Sequence, residues 1–367
     1  MRRWFNFKKK IKRKLILIVC SFFFLIFTSC NLYYQKYIVR NLSSVSARYN
    51  KESVSLKPIS KSLNNLEATD IPIITLWNRR RKELIQNELT DLAFLSNVIE
   101  VNGNMSQVIP MKFICGSNVY QGDENGCVLD TKTAFHLFGT IYALNNKVKW
   151  NNREYIVRGV AKAADTMMLI QITDLDHLYS NIEAQFPHKS ASYGIDNAAY
   201  RLEKLLIESG LDHPDAMIDG EVTAWLLNIL SHLPIWVIGF GLAFLLIRSA
   251  LEMSQSVILR SLYGIGAILI IAIMIKLADF RLQIPSQFIP TRWSDFNFYV
   301  DKFSDIKNSI DRINTAIHMP KDILRGTIFF KCIINTVINL FLLWIICPLC
   351  VYTNENRREL VYGYKRF

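Results

Sequence analysis

Four stretches of the chain are long and apolar enough to cross a lipid bilayer, and this constrains the fold more than any other feature. A spanning helix needs about 20 mostly apolar residues, because the bilayer interior offers no water to satisfy the backbone. No charged residue lies from Leu15 to Gln35, between Glu221 and Arg248, or from Cys332 to Asn354, and a weaker run follows Arg260. The sequence therefore predicts a multi-pass membrane protein with transmembrane helices at 15–35, 222–247, 261–280 and 326–350.

The charge of the chain is concentrated at its two ends. There are 43 Lys and Arg residues against 31 Asp and Glu, a net charge of +12. Eight of the basic residues, and no acidic one, lie within 1–14, and 351–367 has a net charge of +2, which leaves only +2 for everything between. A nucleic-acid-binding domain would carry its basic residues over a folded surface. A nucleic-acid partner is therefore excluded, and membrane lipid is the expected partner of the basic ends.

The same basic residues predict the orientation of the helices. Lys and Arg accumulate on the cytoplasmic side of short loops. We therefore expect the basic N-terminus (1–14), the link at 248–260 and the tail at 351–367 to be cytoplasmic. A large segment at 36–221 and a smaller one at 281–325 are then extracytoplasmic.

An alternative reading of the first apolar run remains open. Basic residues, an apolar run and the sequence Phe27-Thr28-Ser29-Cys30 are similar to a bacterial lipoprotein signal, in which the cysteine is lipidated after cleavage. Phe27 and Ser29 fit that signal poorly, and an uncleaved first helix suits a chain with four crossings. Lipidation at Cys30 is the minor hypothesis.

The large segment at 36–221 reads as a mixed domain preceded by a linker. Residues 36–68, rich in Ser, Asn and Lys, predict a loosely ordered stalk. Beyond it, the patterns predict strands at 71–77, 94–101, 107–114, 147–150, 155–160 and 167–172 and helices at 78–88 and 195–209. Asn151-Asn152 suits the tight turn of a hairpin, since Asn tolerates positive φ. Strands and helices without a repeating βαβ period indicate an α+β extracytoplasmic domain on a four-helix transmembrane α region.

The smaller segment at 281–325 contains an amphipathic pattern. Val300, Phe303, Ile306, Ile310, Ile313 and Ile317 recur at intervals of three and four residues, with charged residues between them. This spacing predicts an amphipathic helix with a narrow apolar stripe. Docking on the outer domain is the favoured interpretation, while binding to the membrane surface and self-pairing remain alternatives.

The sequence offers no chemistry of its own. It has no Gly-x-x-x-x-Gly-Lys-Ser/Thr loop for nucleotide phosphates and no supported catalytic or metal-binding constellation, so we expect a protein that is not an enzyme and needs no cofactor or metal. Cys347 and Cys350 have metal or redox spacing without a second pair, and packing is the favoured role for them. Cys115 and Cys127 flank a Gly- and Asp-rich loop outside the membrane, and a disulfide between them is a candidate.

Residues 126–160 resemble a known family. The segment Gly126-Cys127-Val128-Leu129-Asp130 followed by 131–139, which contains Ala134 and ends in Leu-Phe-Gly, resembles a strand-to-helix segment of the MacB-like periplasmic core domain. The next hairpin, 147–160, closes on Val-Arg-Gly-Val in a similar way. In the physical reading, Phe135, Leu137 and Phe138 pack on that hairpin, and Gly139 and Gly159 permit close turns. One helix, a large outer domain and three further helices is also the layout of MacB/FtsX-type ABC transporter permeases.

That resemblance implies a function. The chain would be a permease-like membrane subunit in a bacterial cell membrane, acting as a homodimer or heterodimer with a separate ABC ATPase subunit. Motion driven by that ATPase would be transmitted to the extracytoplasmic domain for export or envelope remodelling. Arg248 and Arg260 would then face the ATPase.

Two features depart from the family. The link at 248–260 lacks the Arg-Glu-Ile element of the usual coupling helix, and the loop at 281–325 is long. They keep an alternative open, in which a non-transporting membrane protein binds a cell-envelope partner through its extracytoplasmic domain.

Overall fold

The computed structural model describes residues 2–163, 165–187, 198–252, 257–277, 290, 292, 297–301, 304 and 320–363 of the 367-residue chain. The chain divides into two compact units. The helical unit comprises Met1–Tyr37, Ala224–Leu282 and Gly326–Phe367, and the sheet unit comprises Ile38–Thr223 and Gln283–Arg325.

The elements follow one another along the chain in this order: α1 (Arg2–Asn41), β1 (Val45–Arg48), α2 (Leu56–Leu63), β2 (Ile73–Asn87), β3 (Ala93–Asn102), α3 (Met105–Val108), β4 (Lys112–Gly116), β5 (Gly126–Asp130), α4 (Thr131–Phe138), β6 (Lys147–Trp150), β7 (Arg153–Lys162), β8 (Met167–Gln171), β9 (Asn181–Gln185), α5 (Ala198–Glu208), β10 (Ala216–Asp219), α6 (Gly220–Glu252), α7 (Val257–Leu277) and α8 (Pro320–Gly363).

Within the described part of the chain, four helices are long and apolar enough to cross a membrane, as the sequence predicted. The candidate spans are Lys14–Asn41 in α1, Gly220–Leu251 in α6, Val257–Lys276 in α7 and Pro320–Pro348 in α8. Each span includes most of a predicted transmembrane helix, although α1, α6 and α8 extend well beyond the apolar runs. The chain is a multi-pass membrane protein.

Polar side chains join three helices of the helical unit. Asn31 Nδ2 of α1 donates to Thr336 Oγ1 of α8 over 3.0 Å, and Thr336 Oγ1 in turn lies 3.0 Å from the carbonyl oxygen of Leu230 in α6. Ser231 of α6 donates to the carbonyl oxygen of Asn31. Such interhelical hydrogen bonds stabilise membrane helices by about 0.6–2 kcal/mol each. They hold α1, α6 and α8 together at one level.

The sheet unit is built on one ten-stranded sheet. Its strand order is β10-β1-β9-β2-β3-β8-β5-β7-β4, and β6 pairs with both β2 and β7. Because β6 bridges these two strands, β2, β3, β8, β5, β7 and β6 form a closed ring. Most pairs are antiparallel, whereas β3 with β8 and β5 with β7 are parallel. This mixture of strands and helices confirms the α+β prediction.

Three hydrophobic clusters form the core of the sheet unit. The first joins β1, β9 and the start of β2 with α2 and α5. The second lies within the strand ring and includes Ala134 and Leu137 of α4. The third includes Trp77 of β2, Ile99 of β3 and residues of α3. The 15-residue strand β2 contributes to all three clusters and connects them.

The predicted stalk at 36–68 was wrong. Residues 45–48 form β1, which pairs with β9 on one side and β10 on the other. Every residue of β1 is buried, and α2 packs Ile59 into the first cluster. The polar composition misled the prediction, because the partners of this short strand lie more than a hundred residues away in sequence.

The predicted helix at 78–88 was also wrong, since these residues lie in or just beyond β2. The register of β2 against β3 shifts between Arg80 and Glu83, where Lys82 adopts a positive φ of 55°. This bulge orients the charged run toward acidic partners, with Arg79 3.2 Å from Asp165. Tertiary pairing overrides the local helical preference of the run.

Most of the predicted strands and the predicted turn between residues 94 and 172 are observed. β3, β6, β7 and β8 match the predicted strands, and Asn151 and Asn152 have φ values of 49° and 59° in the hairpin turn. The run at 107–114 instead divides into the end of α3 and the start of β4.

Helix α4 begins and ends where the sequence suggested. Asp130 caps its first turn, and Gly139 ends it with a positive φ of 69°. Leu137 is buried and Phe138 partly buried, whereas Phe135 is exposed and does not pack on the hairpin as predicted.

Other predictions fall wholly or partly outside the described residues. The predicted helix at 195–209 is observed as α5 from Ala198 onward. Of the amphipathic stripe, only Val300 lies within the described part of the chain, in a short helical segment at 298–301.

Candidate functional site

A cluster of buried charges in the sheet unit meets at the first turn of α8. Lys321, the second residue of that helix, has a side chain that is 1% exposed, and Glu183 of β9 is fully buried. The Nζ atom of Lys321 lies 2.6 Å from Glu183 Oε2 and 2.7 Å from Ser44 Oγ. It also donates to the carbonyl oxygen of Gln107. All three protons of the ammonium group are therefore used.

A second cation shares the same carboxylate. Arg48 of β1 places Nη2 2.8 Å from Glu183 Oε1. Its Nε and Nη2 atoms each lie 3.1 Å from an oxygen of Asp322 in α8, which is the paired geometry preferred by Arg and carboxylate groups. The guanidinium group also stands 5.3 Å from the ring centre of Trp77. Arg48 thus links β1, β9 and α8.

The third cation, Arg325, reaches the residues that follow α1. Its Nη2 atom donates to the carbonyl oxygens of Leu42 and Ser44 over 2.9 and 3.2 Å. Nη1 lies 3.8 Å from Asp322 Oδ1, and neither Nη1 nor Nε makes a hydrogen bond within the described part of the chain. Asp219 is a further acid in the field of Arg325, and its Oδ2 atom also makes no hydrogen bond there.

Burial and charge act in opposite directions on these groups. Burial alone would raise the pKa of Glu183, but Lys321, Arg48 and Arg325 outweigh it and hold that pKa at about 2. Burial opposes the charge of Arg48, yet Asp322 and Glu183 raise its pKa above the usual value. For Asp219 burial dominates and raises the pKa. Glu183 therefore remains ionised as the shared counter-ion of the cations.

We call Arg48, Glu183, Asp219, Lys321, Asp322 and Arg325 the ionic junction. It gathers the chain at the end of one candidate membrane helix and at the start of two others. Arg325 contacts Leu42 and Ser44, which follow α1. Asp219 caps the first turn of α6 by accepting hydrogen bonds from the amides of Glu221 and Val222. Lys321, Asp322 and Arg325 belong to the start of α8. The junction attaches these three helix ends to strands β1, β9 and β10 of one sheet.

The ionic junction was not predicted from the sequence. A charged residue within a short strand is usually solvent-facing, and Glu183 gave no local sign of its burial. One signal was present, because Lys321, Asp322 and Arg325 precede the last apolar run at helical spacing. That pattern is common at membrane interfaces, where it carries no information about a buried partner.

The predicted disulfide is not formed. Cys115 and Cys127 are both free thiols in β4 and β5, and β7 lies between these two strands. Two strand spacings amount to about 9.5 Å, beyond the roughly 7 Å that a disulfide can span between Cα atoms. Cys127 is buried in the strand ring, which raises the pKa of its thiol.

The other predicted site residues lie in the helical unit. Arg248 is exposed near the end of α6, and Arg260 is exposed in the first turn of α7. Among the described residues, no group of three His, Cys, Asp or Glu side chains is arranged to hold a metal ion.

Comparisons with known proteins identify structural likenesses only. No family model matches the chain, and no curated protein matches it. The class defined by the fold is a multi-pass membrane protein with a mixed α+β domain. Three solved structures that are similar to this chain are domains of transporters or of a protein described as a permease.

One is the periplasmic region of MacB from Actinobacillus actinomycetemcomitans, with 12% identity and a TM-score of 0.41 over 51% of this chain and 93% of that one. Another is the extracellular domain of the noncanonic ABC-type transporter YknZ from Gram-positive bacteria, with 18% identity and a TM-score of 0.34 over 47% and 96%. The third is the domain from Porphyromonas gingivalis described as a permease, with 12% identity and a TM-score of 0.33 over 45% and 81%.

Proposed function

We propose that the chain is a permease-like membrane subunit of a MacB/FtsX-type ABC transporter, which transmits ATPase-driven motion to its sheet unit for export or envelope remodelling. The observation that carries the proposal is the ionic junction. It fixes the end of α1, the start of α6 and the start of α8 to a single sheet. In this proposal, the motion reaches β1, β9 and β10 through these helix ends, which belong to the sheet unit.

The contacts of the junction suit the transmission of force. Removing one partner of a buried ion pair costs about 3–5 kcal/mol, because the other charge is left without compensation. Glu183 accepts hydrogen bonds from Lys321, Arg48, Ser44 and Ser46, so its carboxylate has four donors. The helix ends and the strands therefore stay attached to one another as long as these contacts are intact.

The energy source in this proposal is a separate ABC ATPase subunit, since the sequence contains no phosphate-binding loop of its own. Arg248 and Arg260 stand on either side of residues 253–256, at the proposed cytoplasmic link. In a homodimer or heterodimer, two such links would face the ATPase pair. The chain itself has no proposed catalytic role.

The proposal is tested by purifying the tagged full-length chain from membranes of its native host in mild detergent. We expect an ABC ATPase to co-purify, and the double charge reversal Arg248→Glu with Arg260→Glu to reduce its recovery at least about tenfold. Arg81→Glu, at an exposed position of the sheet unit, is the matched control and should leave the recovery unchanged. Purification of the intact chain without any ATPase would overturn the proposal.

A second candidate function rests on the tip of the β2–β3 hairpin. Leu84 and Leu95 face each other across the two strands and, together with Leu89 and Leu92, are at least half exposed. Exposed apolar patches commonly mark protein interaction sites. In this alternative, a non-transporting membrane protein binds a cell-envelope partner through this tip. The double substitution Leu89→Glu with Leu92→Glu should then abolish in-cell crosslinks to that partner, and no ATPase should be recovered with the chain.

A further inference from the structure

The contacts of α8 define a socket for an ammonium group on the sheet unit. The Nζ atom of Lys321 contacts three groups of this socket: Glu183 of β9, Ser44, which follows α1, and the carbonyl oxygen of Gln107 in α3. Ser46 Oγ completes the socket by donating to the same Glu183 oxygen over 2.7 Å. The occupant, residues 320–325, is separated from these elements by more than 100 residues in sequence.

Residues 320–325 are held by polar contacts and contribute nothing to the hydrophobic core. Among the described residues, none of the three hydrophobic clusters includes a member of this segment, either as a buried residue or packed against it. Ile323 is 53% exposed. Lys321, Asp322 and Arg325 attach this segment through hydrogen bonds and ion pairs.

This mode of attachment has a distinctive energetic consequence. Buried ion pairs gain from mutual attraction but lose hydration, and the two terms nearly cancel. Hydrophobic burial has no comparable opposing term, so a core element cannot leave without unfolding the domain. A segment attached through charges can leave its socket while the core of the sheet unit persists.

We propose that residues 320–325 are a detachable latch, and that the socket centred on Glu183 is its docking site on the sheet unit. Glu183 is the positioning residue, because its two oxygens hold Lys321 of the latch and Arg48 of β1 at the same time. When the latch leaves, residues 320–325 separate from Glu183 while the hydrogen-bonded pairing of β1 with β9 and β10 remains. The role of this release in transport rests on the proposed function, whereas the latch itself does not.

The latch is tested by the reactivity of Lys321 toward an amine-reactive ester in the detergent-solubilised full-length chain, measured by mass spectrometry. In the wild type we expect Lys321 to be protected and Lys204, whose side chain is 63% exposed, to be labelled. In Glu183→Gln we expect labelling of Lys321 to rise at least about tenfold relative to Lys204. Hydrogen exchange at the backbone amides of β3 and β8 should remain unchanged in the same variant.

Glu208→Gln is the matched control, because Glu208 pairs with Lys204 on the exposed face of α5 and lies outside the junction. It should leave Lys321 protected. The proposal is overturned if Lys321 is labelled as readily as Lys204 in the wild type, or if Glu183→Gln leaves it protected. It is equally overturned if exchange in β3 and β8 accelerates together with the labelling, since the segment would then be part of the core.

No ATPase takes part in this experiment. A protected latch that is released by Glu183→Gln, in a chain that purifies without any ATPase, would support the latch and refute only the transporter assignment.

Discussion

A Cβ atom on Gly220 would lie 2.4 Å from the carbonyl oxygen of Ser44. The first residue of α6 is therefore packed directly against the chain that leaves α1. Real Cβ atoms essentially never approach a neighbour this closely, and the atom in the way belongs to the backbone, which cannot rotate aside. The two helix ends meet at a distance that only glycine allows.

Gly220→Ala should consequently destabilise the sheet unit by about 1–3 kcal/mol, the usual cost of overpacking. Gly326→Ala is the control, because Gly326 lies in α8 and a Cβ atom added there would have no other atom within 4 Å. The control should be neutral or stabilising by up to about 1 kcal/mol, since Ala favours helix. Thermal unfolding of both variants in detergent compares them, and equal midpoints would contradict the close packing.

Glu183 should give the attachment of residues 320–325 a specific dependence on pH. Its pKa of about 2 lies below the ordinary value of 4.5, so its contribution is complete above pH 4.5 and is lost as the pH falls toward 2. We expect the backbone amides of residues 320–325 to be better protected from hydrogen exchange in the wild type than in Glu183→Gln at pH 6, with the difference vanishing near pH 2. A difference that is constant over this range would contradict the assignment.

Asp130 should be among the most sensitive positions of the strand ring. Its carboxylate accepts hydrogen bonds from the amides of Lys132, Thr133 and Met167, so it caps α4 and also joins β5 to the start of β8. Asp130→Ala removes a helix cap and leaves a buried amide without a partner, at a combined cost of about 2–4 kcal/mol. Chemical denaturation measures the loss. Asp176→Ala, at an exposed position, should cost less than about 0.5 kcal/mol.

The hairpin turn at Asn151-Asn152 separates backbone from side-chain effects. Both residues have positive φ, which costs most residues about 1–2 kcal/mol and costs glycine nothing. Asn152→Ala should lower the free energy of unfolding by about 1 kcal/mol, while Asn152→Gly should leave it unchanged or raise it. Equal destabilisation by both substitutions would show that the Asn side chain, and not the backbone conformation, is required.

The sequence predicted best those features that depend on neighbours along the chain. The four candidate membrane helices follow from uninterrupted apolar runs, and the hairpin follows from Asn151-Asn152. Each of these signals acts over a few residues. The fold class followed from the same local patterns.

Features that depend on distant partners were missed. Strand β1 is short and polar in composition, and only its position between β9 and β10 buries it. The burial of Glu183 depends on Lys321, 138 residues further along the chain. A buried ion pair looks the same in sequence as two exposed charges, so the candidate site could not be located before the fold was known.

The position of β1 between β9 and β10 also sets the order in which the sheet unit can be completed during synthesis. The chain makes β1 early, but its first partner, β9, begins only at Asn181, and its second, β10, ends at Asp219 immediately before α6. At about 5–20 residues per second, β1 waits roughly 7 to 26 seconds with both edges unpaired. During this interval the nascent chain is vulnerable to mispairing at β1. The pairing of β1 with β10 can form only when synthesis has reached the start of α6, the second candidate membrane helix.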